Sequence, residues 1–489
     1  MHRSLTSYLP TIYALSTPPG QRSAIAVIRI SGAKAKYIYH KLTKSKAAPI
    51  PRRASLRKIY EPQKNGKLLD QALVLFFEEP KTFTGEDILE VHLHGGKAVT
   101  NGVLKSIQSL HSNSSEENIS IRYAQPGEFS KRAFQNGRAD LTQLEGIGDL
   151  IDAETESQRK SALSSFNGEN KVLFSSWRKS ILENMAQLTA IIDFGEDADI
   201  EDIDNIFNGV SRNVELLKGD ISSFVKKLEK SNILKAGIKL ALIGEPNAGK
   251  SSLLNTMVDD NVAIVSNIPG TTRDSIDVML DLEGYKVVIC DTAGIRNKSS
   301  DEIELQGIER AKLKSVHSDI VLLLVDSANP SGNFISEDML EHFNTSLKRK
   351  EVFIVLTKTD LLKDRNQLAG IKESISKKLN GNYPICAISC VENTGVEELM
   401  GSLISKFQEI TNSNDETGPI IVSKRVEEIL HNDVLYGLKE FQNAKALDDV
   451  VMASEGLNIA SEGIGKITGE TIGVEEVLGV VFSNFCVGK

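Results

Sequence analysis

A chain of 489 residues, 40% of them hydrophobic and 25% charged, is too long for one hydrophobic core and too apolar to stay disordered, so two to four folded domains are expected. The net charge of −9 hides an asymmetry: residues 1–60 carry twelve Lys or Arg and no acid, against 45 basic and 66 acidic residues beyond them, so any nucleic-acid contact is local. Four cysteines do not make a disulfide framework and suit a reducing compartment, and the longest aliphatic run, Ile320 to Val325, is far short of a membrane span.

In chain order, residues 1–10 are basic, hydroxylated and free of acid, which fits a presequence remnant and points to the mitochondrion. Residues 11–130 read as α+β, with strands Ser23 to Ser31, Ala72 to Phe77 and Ile88 to His94, a helix from Lys97 to Leu110, and a polar loop from His111 to Ser120. His92 and His94 are spaced for a metal, but no third ligand stands near them, which opposes a metal site. Over 131–236 strand signals vanish, and Leu182, Met185, Leu188, Ile191 and Ile192 recur at helical spacing.

The segment 237–411 alternates strands and helices. The apolar strand Ile238 to Ile243 leads into Gly244-Glu245-Pro246-Asn247-Ala248-Gly249-Lys250-Ser251, which fits GxxxxGK[ST], and a helix opens behind it through Ser252. Glycine-rich turns of this kind aim backbone N–H groups and a helix N-terminus at phosphates; Lys250 is placed to reach the β and γ phosphates and Ser251 to hold Mg2+. Next come Ser266-Asn267-Ile268-Pro269-Gly270-Thr271-Thr272, where Thr272 would complete the Mg2+ shell, and the strand Tyr285 to Cys290 followed by Asp291-Thr292-Ala293-Gly294. Asp291 would meet Mg2+ through water and the Gly294 N–H would sense the γ-phosphate. Ile295 then stands where many small GTPases place a water-orienting Gln, so hydrolysis needs another group.

A strand Asp319 to Asp326 precedes a strand Glu351 to Leu356 that ends in Thr357-Lys358-Thr359-Asp360. The Asp360 carboxylate can accept from the N1–H and exocyclic amine of guanine, which adenine cannot offer, so GTP is expected and an ATPase is opposed. Guanine loops usually read Asn-Lys-x-Asp, and Thr357 replaces the carboxamide with a smaller hydroxyl, which bears on tightness more than on base identity. A fifth strand, Tyr383 to Ser389, would carry Cys386 and Cys390 as small hydrophobes and bring the backbone around Ser389 over the base edge. After the linker-like stretch Thr411 to Gly418, helical spacing returns over 412–489 with Val426, Ile429, Leu430, Leu435, Leu438 and Phe441. A nucleotide domain flanked by helical sequence is most simply a module inserted into one helical domain.

Taken with Gly270-Thr271-Thr272-Arg273-Asp274, Asp291-Thr292-Ala293-Gly294-Ile295-Arg296 and the final Phe485-Cys486-Val487-Gly488-Lys489, the chain resembles the MnmE/TrmE family of tRNA-modifying GTPases nearly end to end. Pro18-Pro19-Gly20, Phe83-Thr84-Gly85-Glu86-Asp87, His94-Gly95-Gly96 and Pro126-Gly127-Glu128-Phe129-Ser130 carry the rest of the likeness; position 487 is usually Ile in the family. The resemblance implies an N-terminal α+β domain of the folate-binding kind, a helical domain in two parts and an inserted Ras-like P-loop GTPase domain. It implies a homodimer formed through the N-terminal domain, with a one-carbon folate (5-formyl- or methylenetetrahydrofolate) at Arg29, Glu90, Arg138 and Lys489. It also implies Cys486 in the modification chemistry, K+ held by Asn247, Ser266, Ile268 and Thr271, and Glu304 orienting the water. One residue more than the bacterial spacing separates Gly294 from that Glu, which keeps Glu302 as an alternative. The activity implied is potassium-activated GTP hydrolysis driving carbon-5 modification, of carboxymethylaminomethyl type, of the wobble uridine of certain tRNAs in the mitochondrial matrix, with an FAD-dependent MnmG/GidA-like partner. A GTPase switch of ribosome assembly is the rival reading.

Overall fold

The computed structural model describes residues 9–20, 22–63, 65–113, 118–194, 200–259, 262–263, 278–290, 312–329, 334–362, 367–411 and 422–470. The chain divides into two compact units, one of Met1–Gly148, Phe166–Val214 and Glu428–Lys489, the other of Asp149–Ser165 and Glu215–Glu427.

The first unit contains a six-stranded sheet in the order Ser55–Tyr60, Leu68–Phe77, Ile88–His94, Ile25–Ser31, Thr11–Leu15, Ile121–Tyr123. All neighbours are antiparallel except the last pair, which is parallel. Alternation along Ile25–Ser31 sends Ile28 and Ile30 to one face, where Ile38 and Leu42 of helix Ala35–Thr43 and Val103 and Ile107 of helix Lys97–Gln108 close a core. On the other face Ile12 and Ala14 pack with Ala124 and with Phe129 of helix Glu128–Gln135, while Arg29 and Glu90 stay partly exposed. The polar stretch expected as a loop contains two short strands, Ser112–Asn113 and Asn118–Ile119, paired antiparallel. Pairing satisfies backbone groups that a bare excursion leaves to water, a gain that composition does not reveal.

The same unit holds long helices, Glu169–Phe194 and the first part of Ile200–Ala236, with Tyr436–Ala446 and Val450–Thr468. The last two approach backbone to backbone: a Cβ on Gly456 would lie 2.6 Å from the Phe441 nitrogen, and one on Gly437 2.6 Å from the Gly456 oxygen. Helix Val450–Thr468 starts on an Asp449 cap, whose side chain accepts from the Met452 N–H, and stops at Gly469 in the left-handed region. Among the described residues no helix is long and apolar enough to cross a membrane.

The second unit is a seven-stranded sheet in the order Val262–Ala263, Val278–Leu282, Tyr285–Cys290, Ile238–Gly244, Ile320–Asp326, Glu351–Thr357, Ile385–Ala387. From Tyr285–Cys290 onward every pairing is parallel. Its central strands are continuous apolar runs because both faces are covered. Leu253, Leu254 and Met257 of helix Lys250–Asp259 and Leu399, Leu403 and Phe407 of helix Val396–Thr411 cover one side; Met339 and Ile371, Ile375 and Leu379 of Gln367–Leu379 cover the other. The fifth expected strand shrinks to Ile385–Ala387, preceded by Pro384, and Cys390 lies beyond it in a turn rather than on a strand. The helical and mixed α/β parts expected from the sequence are both present.

Candidate nucleotide site and the N-terminal ion-pair face

Strand Ile238–Gly244 lies between two parallel neighbours, so its carboxyl end opens into the crevice where such sheets take ligands. Gly244 is required there by space: a Cβ would sit 2.5 Å from the Leu324 oxygen of the adjacent strand. Asn247 (φ 60) and Gly249 (φ 90) are left-handed and wind the chain into a cradle whose Ala248 is buried. Lys250 begins the helix, and its Nζ folds back to donate to the Gly244 and Glu245 oxygens at 2.7 and 2.8 Å. The cation is thereby held over the mouth of the loop, with Ser251 and Ser252 next in the first helical turn, where unpaired N–H groups favour an anion.

Across the crevice, strand Glu351–Thr357 delivers the second loop. Thr357 is buried, and its Oγ1 donates to the Ala248 oxygen at 2.7 Å and toward the Val325 oxygen at 3.2 Å. Ser327 Oγ donates to the Thr357 oxygen at 2.6 Å. Lys358 is left-handed (φ 57) and pairs with Asp326 Oδ2 at 2.7 Å. Asp360 accepts from Ser389 Oγ at 2.7 Å through Oδ1. Ser389 is itself fixed by backbone pairing with Thr394 and by the Glu392 N–H donating to its Oγ at 3.1 Å. The Ser389 side chain thus orients the Asp360 carboxylate, a contact that the expected backbone role over the base did not include. Burial pushes the Cys390 thiol up, a hydrogen bond with Thr256 opposes it, and the Asp360 charge adds to the rise. Gly244, Asn247, Ala248, Gly249, Lys250, Ser251, Ser252, Thr357, Lys358, Asp360 and Ser389 therefore lie in loops at or beyond the carboxyl ends of strands of one sheet, with Thr357 joined to Ala248 and Ser389 to Asp360. Ser266, Asn267, Ile268, Gly270, Thr271, Thr272, Asp291, Thr292, Ala293, Gly294, Glu302, Glu304, Cys486 and Lys489 lie outside the described residues.

On the N-terminal sheet Arg29 and Glu90 stand opposite each other in register, joined from Arg29 Nη2 to Glu90 Oε1 at 2.8 Å and from Nε to the same oxygen at 2.9 Å. His92 lies one step along the same face, 3.6 Å from Glu90 Oε2, and its buried Nε2 finds no hydrogen-bond partner among the described residues. His94 turns instead to Asp70, at 2.7 Å. Burial opposes the charge on Asp70, but the His94 N–H and ring outweigh it and hold the carboxyl below its usual range.

Arg138 donates from Nε to the Thr82 oxygen at 3.0 Å. That loop returns to the strand bearing Arg29 through Thr84, whose Oγ1 lies 2.7 Å from Ser31 Oγ. Behind it sits a buried network: Arg132 pairs with Glu86 at 2.9 Å and Glu128 at 3.0 Å and donates to the Pro10 oxygen, while Ser31 Oγ donates to Glu86 at 2.7 Å. Glu86 and Glu128 stand in stretches used above only as family marks; Glu128 lies at i,i+4 helical spacing from Arg132, whereas the pairing of Arg132 with Glu86, 46 residues away, carries no periodic signal.

The comparisons agree with this architecture. The model described as "GTP-binding protein TrmE N-terminus" matches residues 11–138, and that described as "MnmE helical domain" matches residues 141–486. The chain is 55% identical over 494 residues to the mitochondrial tRNA modification GTPase MSS1 of Saccharomyces cerevisiae, covering 98% of this chain and 93% of that protein. It is 36% identical to the zebrafish (Danio rerio) mitochondrial 5-taurinomethyluridine-[tRNA] synthase subunit GTPB3, covering 98% and 93%. To the tRNA modification GTPase MnmE of Rickettsia akari it is 37% identical, covering 98% and 100%. This chain belongs to the MnmE/TrmE family of tRNA modification GTPases, in its mitochondrial form.

Proposed function

We propose that the chain couples GTP hydrolysis to modification at carbon 5 of the wobble uridine of certain tRNAs, as a potassium-activated homodimer acting with a one-carbon folate and an FAD-dependent MnmG/GidA-like partner. The observation that carries this reading is the partly exposed Arg29–Glu90 pair on the N-terminal sheet, in the same chain as a guanine-type loop. A ribosome-assembly switch has no use for that face.

In the crevice Lys250 would exchange the Gly244 and Glu245 oxygens for β- and γ-phosphate oxygens, while Ser251, with Thr272, would hold Mg2+. Asp360, pinned by Ser389 at one oxygen, accepts from the guanine N1–H and amine. With Ile295 unable to orient water, Glu304, or Glu302 in its stead, takes that task. K+ on Asn247, Ser266, Ile268 and Thr271 adds positive charge toward the phosphates. Asp291 would meet Mg2+ through water, the Gly294 N–H would sense the γ-phosphate, and Ser266, Asn267 and Gly270 would join the GTP contacts.

The N-terminal face suits a folate in kind. Arg29, Arg138 and Lys489 are cations for its carboxylates, Glu90 is an acceptor for pterin N–H groups, and His92 brings a buried nitrogen with bonding capacity to spare. When bound, the folate supplies the one-carbon group. Arg132, anchored to Glu86 and Glu128, holds the loop and helix that present Arg138, and Cys486 is the thiol assigned to the modification step.

Mass spectrometry of tRNA nucleosides tests the reading. Cells lacking the protein should lose the carbon-5 modification of wobble uridine, and the native chain but not Arg29→Ala should restore it. Normal wobble uridine together with defective ribosome assembly would replace this reading with the assembly switch.

A further inference from the structure

Guanine presents two acceptors on its imidazole side, N7 and O6, and a donor from the protein must meet N7 if that nitrogen is to be read. A carboxamide at position 357 carries two N–H protons, enough to tie a neighbouring loop and also reach a base. Thr357 carries one hydroxyl proton. Both oxygens near it, Ala248 O at 2.7 Å and Val325 O at 3.2 Å, are carbonyls that can only accept, so the proton is committed to the protein. The side chain is 2% exposed and lies against the phosphate loop, where a Cβ on Gly249 would come within 3.5 Å of it. Two other side chains of the base loops are also engaged: Lys358 pairs with Asp326, and Ser389 donates to Asp360.

We propose that Thr357 ties the phosphate loop and reads no base edge, so that among the described side chains Asp360 is the one that selects guanine and none donates to N7. The inference rests on the guanine reading above. Its consequence is a substrate range that includes guanine nucleotides lacking the N7 acceptor.

The test uses the full-length protein with GTP and 7-deaza-GTP, which replaces N7 with a C–H. Dissociation constants and turnover should agree within threefold for the two nucleotides, and a larger loss with 7-deaza-GTP overturns the proposal. Thr357→Val keeps the shape and removes the proton, leaving the Ala248 oxygen unpaired. That variant should weaken both nucleotides by the same factor, about tenfold. A loss confined to GTP would show that the hydroxyl serves N7 and would also overturn the proposal. The wild-type comparison stands even if the variant fails to fold. ATP in the same titration separates the two levels: ATP binding as tightly as GTP sinks the guanine reading itself, whereas strong rejection of ATP beside a preference for GTP over 7-deaza-GTP sinks only the claim about N7.

Discussion

At the scale of single residues the nucleotide crevice is a set of side chains held by other side chains. Asp360 is oriented by Ser389 and Lys358 by Asp326, so the groups proposed to meet a base are already held by their neighbours. For Asp360→Asn we expect weakened GTP binding and a gained preference for xanthosine triphosphate, because an amide N–H can donate to the 2-oxo group of xanthine. Two charge-assisted bonds of ~1.5–3 kcal/mol each are at stake, so GTP affinity should fall at least tenfold in a nucleotide titration. Unchanged affinity would remove Asp360 from the base site. The Gly-rich loop was legible as a pattern because its geometry is local: Gly249 and Asn247 must adopt positive φ within a few residues. Thr357 was legible only as a departure. Its hydroxyl bonds to a residue 109 positions away, and no spacing rule reaches that far.

At the scale of elements the buried network around Arg132 joins helix Glu128–Gln135 to the loop after Leu68–Phe77. Removing one partner leaves the other charge buried and unpaired, so Arg132→Met should cost ~3–5 kcal/mol in the unfolding transition of the N-terminal unit. Burial works against the charge on Glu128, but bonds from Arg122, the Gln125 N–H and Arg132 outweigh it and depress its carboxyl below the ordinary 4.5. A depressed folded value means that the carboxylate stabilises the fold above pH 4.5 and that this contribution disappears as pH falls through the folded value. Wild type should therefore exceed Glu128→Gln in denaturant midpoint near neutrality by an amount that holds down to about pH 4.5 and shrinks below it. A gap that widened in acid would reverse the assigned sign. Helices Tyr436–Ala446 and Val450–Thr468 meet at Gly437 and Gly456, where Gly456→Val forces a side chain against the Phe441 backbone. Overpacking there should cost at least ~1–3 kcal/mol by thermal unfolding.

At the scale of the whole molecule, nucleotide chemistry and tRNA chemistry are expected to be separable. Deleting Cys486 to Lys489 should leave basal GTP hydrolysis nearly intact and abolish tRNA modification, measured by phosphate release and by nucleoside mass spectrometry. If Lys489 holds the folate as proposed, its loss removes one charged contact and folate affinity should fall by ~10–150-fold. If the truncated chain restored modified uridine in cells, the tail would have no part in catalysis. GTP turnover should also rise when potassium replaces sodium, and Asn247→Ala should erase that difference; equal rates in the two salts would dismiss the cation role.

What the sequence determined by itself is what depends on short range and on composition. The phosphate loop follows from glycines at fixed offsets, the central strands from unbroken apolar runs such as Ile320 to Val325, the helices from apolar residues at helical spacing, and the family from motifs along nearly the whole chain. What only the tertiary structure decided are the partners of polar groups: Thr357 on Ala248, Ser389 on Asp360, Arg132 on Glu86, and His92 Nε2 beside Glu90 with no hydrogen bond among the described residues. A hydrogen bond requires two particular atoms within about 3 Å at a favourable angle. Periodicity assigns a residue to a face, but which atom meets it there is settled when strands and loops distant in the chain are brought together.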